Sequence, residues 1–116
     1  MTKRAKAVGA YGERVAVAHL LAAGYAVLDR NWRCRWGEVD VVASCRGTVV
    51  FVEVKCRRSA AFGPPALAVT PSKAERIRAV ASAWLDGRVL PVRFDVVSVV
   101  RPLSGAAVVE HFEGAF

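Results

Sequence analysis

Two periods of apolar residues alternate along the chain. From Gly9 to Ala23, the residues Ala16, Val17, Leu20 and Ala23 recur at helical spacing, and Gly24 is placed to end that helix. Glu13 falls on the same stripe, three, four and seven positions before the first three of these, so a carboxylate stands at the entrance of the core-facing face. From Tyr25 the period shortens to two. Tyr25–Trp32 reads as a first strand, Arg33–Gly37 as a polar turn and Glu38–Cys45 (EVDVVASC) as a second strand. Arg46-Gly47 is a tight turn into a third strand, Thr48–Cys56, so strands two and three are expected to form a hairpin.

Residues 57–69, with Gly63-Pro64-Pro65, read as a loop whose length permits closure over a substrate. Helical spacing then returns. Thr70 is an N-cap, Pro71 suits the first helical position, and Ile77, Val80, Ala81 and Trp84 form an apolar face up to Asp86 and Gly87. Leu90–Val100 is a fourth strand and Ala106–Phe112 a short fifth. The expected fold class is α/β with an α-β-β-β-α-β core: a mixed sheet of four to five strands flanked by helices. The helical crossover from strand three to strand four should be right-handed if the two are parallel neighbours. Residues 1–8 read as a basic tail ahead of a single domain, 9–116.

Against this apolar pattern a few charges are out of place. Val49, Val50, Phe51, Val52 and Val54 suit a strand buried on both faces, yet Glu53 and Lys55 sit among them, two apart and therefore on one face. In strand two, Glu38 and Asp40 alternate with Val39 and Val41, so both carboxylates are expected on one face, with Asp40 inside an apolar run where an unpaired charge is costly. With Glu53 across the hairpin, the set Glu13, Asp40, Glu53 and Lys55 is expected to converge at one end of the sheet. Crowded carboxylates raise one another's pKa, and a divalent cation removes that conflict. Oxygen ligands suit Mg²⁺ or Mn²⁺, and such an ion suits phosphodiester hydrolysis, with Lys55 stabilising developing negative charge. The same residues also suit a structural ion-pair network at a strand end.

Charge then favours a polyanionic partner. The 116 residues carry 17 Lys and Arg against 10 Asp and Glu, a net charge of +7. The basic residues cluster: Lys3, Arg4 and Lys6; Arg30, Arg33 and Arg35 beside Trp32 and Trp36; Lys55, Arg57 and Arg58; Lys73, Arg76 and Arg78. Arg33, Arg35, Arg57, Arg58, Lys73 and Arg76 are the candidates for nucleic-acid contact. Trp32 and Trp36 are suited either to base stacking or to packing, whereas Trp84, His19 and His111 read as structural. No apolar run is long enough for a membrane span and no signal segment is evident. The three cysteines, Cys34, Cys45 and Cys56, lack metal-ligand spacing and read as apolar fillers in a cytoplasmic protein.

Five segments together resemble a known family. They are GERVAVAHL (Gly12–Leu20), RNWRCRWGEVD (Arg30–Asp40), VFVEVKCR (Val50–Arg57), Phe62-Gly63 and RFDVV (Arg93–Val97). They are similar to the small bacterial YraN-like proteins, within the PD-(D/E)xK nucleases of restriction-endonuclease-like fold, a superfamily that includes the Holliday junction resolvases. The proline that usually precedes the motif aspartate is replaced by Val39. The resemblance implies that Asp40, Glu53 and the backbone carbonyl of Val54 are metal ligands. It implies that Lys55 is the catalytic lysine and that Glu13 matches the acidic residue on the first helix of resolvase-like members. It further implies a Mg²⁺- or Mn²⁺-dependent endonuclease acting on DNA rather than RNA, on branched or damaged structures, and working as a homodimer. The alternative is a non-catalytic nucleic-acid-binding module that retains the fold.

Overall fold

A computed structural model describes residues 3–58 and 69–116. Helix α1 (Lys3–Ala22) leads into strands β1 (Ala26–Cys34), β2 (Gly37–Cys45) and β3 (Thr48–Arg57). Helix α2 (Pro71–Leu85) then connects to β4 (Val92–Val100) and β5 (Val108–Phe112). The five strands form one mixed sheet in the order β1-β2-β3-β4-β5, antiparallel except for the parallel pair β3 and β4. The expected mixed α/β architecture is therefore present, with both helices packed on the sheet.

Local chemistry sets the element ends. Thr70 accepts a hydrogen bond from the Lys73 N–H at 3.2 Å, and Pro71 follows where its missing N–H costs nothing. Asp86 ends α2 in the left-handed conformation. Arg46 and Gly47 both take positive φ, 52° and 81°, as a tight two-residue hairpin turn requires.

Several boundaries differ from the sequence reading, three of them on the elements that frame the site. Helix α1 starts at Lys3, ahead of the expected start at Gly9. The first hairpin pairs through Arg33↔Glu38 and Cys34↔Gly37, which shrinks the expected turn at 33–37 to Arg35-Trp36. Cross-strand pairing carried the strands further than alternation of residue type suggested. Arg57 completes β3, opposite Val100. The rest of the expected loop, with Phe62 and Gly63-Pro64-Pro65, lies mostly outside the described residues.

Two apolar layers cover the two faces of the sheet. On the α1 face, Ala16 and Leu20 pack with Val41, Ala43, Val50, Val52, Val97 and Val99. On the α2 face, Val80 and Ala81 pack with Val39, Val42, Val49 and Phe51. Phe51 lies edge-on to Trp84 and stacked on Phe94, with ring centroids 5.8 and 5.7 Å away. Cys34 belongs to one layer and Cys45 and Cys56 to the other, all as free thiols. Burial raises the Cys56 thiol pKa despite nearby Arg101, which suits an unreactive filler.

The pairing pattern fixes what meets at each end of the sheet. Strand β2 begins where the antiparallel β3 ends, and β4 runs with β3. The β1–β2 turn and the C-terminal ends of β3 and β4 therefore share one end.

Candidate active site

At that shared end the sheet forks. The β2–β3 ladder runs from Cys45↔Thr48 to Val41↔Val52 and goes no further, while β3 stays paired with β4 to Arg57. Strand β2 also loses its alternation here. Val39 and Val42 lie in the α2-side layer, and Val41 and Ala43 lie in the α1-side layer. Asp40 falls in that slip, which corrects the expectation that Glu38 and Asp40 share a face by simple alternation. The facing strand is irregular too: Asn31, bracketed by Arg30↔Val41 and Trp32↔Val39, takes a φ of 50°.

Asp40 fills the fork. Its Oδ2 accepts from the Val54 backbone N–H at 2.8 Å, replacing the ladder partner that β2 would have supplied. In an extended strand the N–H and C=O of one residue point the same way, so the Val54 carbonyl also faces the fork. Burial, followed by repulsion from Glu53, pushes the Asp40 carboxyl up to about 7, and the Val54 N–H only partly offsets this.

Glu53 and Lys55 continue the alternation of Val49 and Phe51 and so stand on the α2 face. Glu53 is buried. Its Oε1 meets Lys73 Nζ at 2.7 Å and Lys55 Nζ at 3.5 Å. Lys73 projects from the first turn of α2, and the Thr70 cap fixes where that turn begins. Burial and then the neighbouring Lys73 lower the pKa of Lys55, with Glu53 opposing. Burial works most strongly against the Lys73 charge, but the bond to Glu53, the contact with Lys55 and the charges of Glu53 and Asp40 together outweigh it and leave that pKa raised.

Glu13 comes from the other helix. It sits on α1, and its Oε2 accepts from Asn31 Nδ2 at 2.8 Å. Asn31 lies opposite Asp40, so Glu13 is near enough to raise the Asp40 pKa further. The carboxylates thus approach from two faces, with Asp40 between them in the plane of the fork. Glu38 is engaged elsewhere, paired with Arg33 Nε at 2.6 Å across the hairpin.

The donor set fits a hard divalent cation. Among the described residues the contacts given above fall on Oδ2 of Asp40 and Oε1 of Glu53. Two such carboxylates and one backbone carbonyl match the sparse protein ligation of Mg²⁺, which keeps waters and takes up substrate phosphate. Among the described residues no group of three His, Cys, Asp or Glu side chains is gathered for metal binding.

The other candidates divide. Arg35 lies in the hairpin turn, Arg57 and Arg58 lie at the end of β3, and Arg76 lies one turn along α2 from Lys73, all at the forked end. Asp95 has a role away from this site, discussed below. The sequence reading placed Lys73 among the nucleic-acid contacts; its spacing near the apolar stripe of α2 was the only signal that it reaches Glu53.

Comparison with known sequences finds relatives over nearly the whole chain. The pattern of a family described as "Uncharacterised protein family UPF0102" matches residues 12–99, from the Glu13 region of α1 to the end of β4. A UPF0102 protein of Beutenbergia cavernae is 55% identical, over 96% of this chain and 98% of its own. One from Frankia alni is 52% identical over the whole of both chains. One from Geotalea uraniireducens is 44% identical, over 96% of this chain and 90% of its own.

Proposed function

Since the chain belongs to the family described as UPF0102, its activity has to be read from its own site, and we propose a divalent-metal-dependent endonuclease that hydrolyses phosphodiester bonds of DNA. One observation carries this reading. A carboxylate in the plane of a sheet fork, bonded to the Val54 N–H, neighbours a buried carboxylate flanked by two lysines. That is the D…ExK arrangement of the PD-(D/E)xK nucleases, and it supports placing the chain in that superfamily with a restriction-endonuclease-like fold.

Asp40, Glu53 and the Val54 carbonyl would hold Mg²⁺ or Mn²⁺, and Glu13 supplies further negative charge from α1. When bound, the ion polarises a phosphoryl oxygen and lowers the pKa of water. The remaining steps belong to the protein. Lys55, held beside Glu53, offers its ammonium to the attacking water and to the negative charge that develops on phosphorus. Lys73 balances Glu53 in the absence of substrate and turns to a phosphate oxygen when one arrives. Arg33, Arg35, Arg57, Arg58 and Arg76 surround the site with charge for the flanking backbone.

The test is a cleavage panel: labelled single-stranded, duplex, flap and four-way-junction DNA, with matching RNA, in Mg²⁺, Mn²⁺ or EDTA. Metal-dependent cutting is expected, and Glu53→Ala and Lys55→Ala, each checked for folding, should lower it at least 100-fold. Binding of every substrate without cutting under any metal would instead support the non-catalytic binding module. Resolvase-like action on two strands also calls for a homodimer, which sedimentation at micromolar protein with and without DNA would detect.

A further inference from the structure

The three tryptophans part company in the fold. Trp84 donates its Nε1–H to Asp29 Oδ2 at 2.7 Å and meets Phe51 edge-on. Trp32 packs against the α2-side layer. Trp36 stands in the two-residue turn between β1 and β2 and is 50% exposed. Its ring lies against Arg35, whose guanidinium carbon is 4.4 Å from the ring centroid.

Nothing in the turn asks for a tryptophan there. Short hairpin turns favour Gly, Asn and Asp, and the positive φ at this turn belongs to Gly37, at 141°. Half of the Trp36 surface is open to solvent. It is held in place, however. A Cβ added to Gly37 would meet Arg76 Cδ at 3.3 Å and Val80 Cγ2 at 3.5 Å, so the base of the turn rests directly on α2. The turn is thus braced against a packed helix.

Position gives this exposed ring a use. Trp36 is four residues before Asp40 along β2, about 13 Å at the strand rise. That is roughly four base steps of a stacked strand. Lys73 and Arg76, three apart on α2, share a helix face and connect the two places: Lys73 is bonded to Glu53, and the Arg76 stem lies under Gly37. A strand whose phosphate sits at Asp40 and Glu53 would pass Lys73, Arg76 and then Trp36. Bases inside a duplex have both faces covered by their neighbours, and only an unpaired base has a face to offer an aromatic ring.

We propose that Trp36, backed by Arg35, is a stacking platform for an unpaired base of the bound strand, so that the protein selects nucleic acid with a single-stranded segment beside the cut over continuous duplex. The location of the cut rests on the nuclease reading; the platform itself does not.

The experiment measures binding in EDTA, where metal-dependent cutting is absent. Labelled oligothymidylate and blunt duplex of equal length are titrated with wild type, Trp36→Ala and Trp36→Phe, each first shown to melt at the wild-type temperature. Trp36→Ala is expected to weaken oligothymidylate binding about 10- to 100-fold, to leave duplex binding within about 2-fold, and Trp36→Phe to restore most of the loss. Equal weakening of both ligands, or of neither, would overturn the platform. The cleavage panel separates the two readings. Trp36-dependent binding without cutting in any metal overturns the nuclease and keeps the platform, whereas cutting that ignores Trp36 and unpaired bases does the reverse.

Discussion

Asp40 is where stability and chemistry conflict most directly. Its carboxylate is desolvated, repelled by Glu53, and held by one backbone N–H. An asparagine keeps the acceptor for Val54 and drops the charge. Asp40→Asn is therefore expected to raise stability at neutral pH in EDTA, by about 0.5–2 kcal/mol, while abolishing metal-dependent cleavage. Thermal unfolding in EDTA beside the cleavage assay checks both, and a fall in stability would show that the charge is compensated in the resting protein. Lys73 makes a second test. It occupies Glu53 at 2.7 Å and so competes with a cation for that carboxylate. Lys73→Met should tighten Mn²⁺ binding several-fold by calorimetry, while weakening DNA binding through the lost charge. Unchanged Mn²⁺ affinity would mean that Lys73 and the ion do not contend for Glu53. The sequence pointed to Glu53 and Lys55 because strand alternation is local. It could not bring Lys73 to Glu53, since that contact depends on how α2 docks.

Two packing contacts between elements deserve separate tests. Helix α1 lies close over the end of β3: a Cβ on Gly12 would come within 2.6 Å of Cys56 Cβ. Alanine is the better helix former by about 1 kcal/mol, but this clash has no flexible side-chain end to absorb it, and overpacking costs about 1–3 kcal/mol. Gly12→Ala should thus destabilise on balance, as a lower urea midpoint would show. Level with Val52 in the β3–β4 register, Asp95 ties β4 to the C-terminal segment. It is fully buried and accepts from Arg93 Nε and Nη2 at 2.9 Å and from the Gly114 N–H at 3.0 Å, and His111 Nε2 lies 2.7 Å away. Burial alone would raise its pKa, but the bonds from His111, Arg93 and Gly114 outweigh it and leave it lowered. A lowered carboxylate contributes stability that is present above its unfolded pKa of about 3.9 and is lost as pH falls through the folded value. Asp95→Ala strands Arg93 and His111 and should cost about 3–5 kcal/mol at pH 7. Urea unfolding from pH 7 to 3 should also show the variant losing less stability with acid than the wild type; parallel losses would contradict the clamp. No local pattern in the sequence marks this clamp, because the partners of Asp95 are spread over β4, β5 and the chain end.

Across the whole molecule, the fold gathers basic residues that the sequence scatters. Arg33 and Arg35 on the first hairpin, Lys55 and Arg57 on β3 with Arg58 just after it, and Lys73 and Arg76 on α2 all come to the forked end. Among the described residues no helix is long and apolar enough to cross a membrane. A surface that neutralises about four phosphates should give a log–log salt slope of roughly −3.6, which is about two orders of magnitude in affinity between 50 and 200 mM salt. Arg76→Ala should lower the slope by about 1. A flat salt dependence would remove the phosphate-binding role of this end.

The sequence by itself determined the order and type of the elements and the hairpin of β2 and β3. It also determined that a carboxylate and a lysine share one face at the end of β3. These follow from spacings of two and 3.6 residues and from turn and cap chemistry, all of which act within a few positions of the chain. Tertiary structure alone decided that the β2–β3 ladder stops at Val41↔Val52, that Asp40 enters the gap, that Lys73 reaches Glu53, and that Trp36 stays in water while Trp32 is packed. Each of these depends on the register and docking of segments far apart in sequence, which are set by the best total burial on both faces of the sheet and not by any one residue's neighbours.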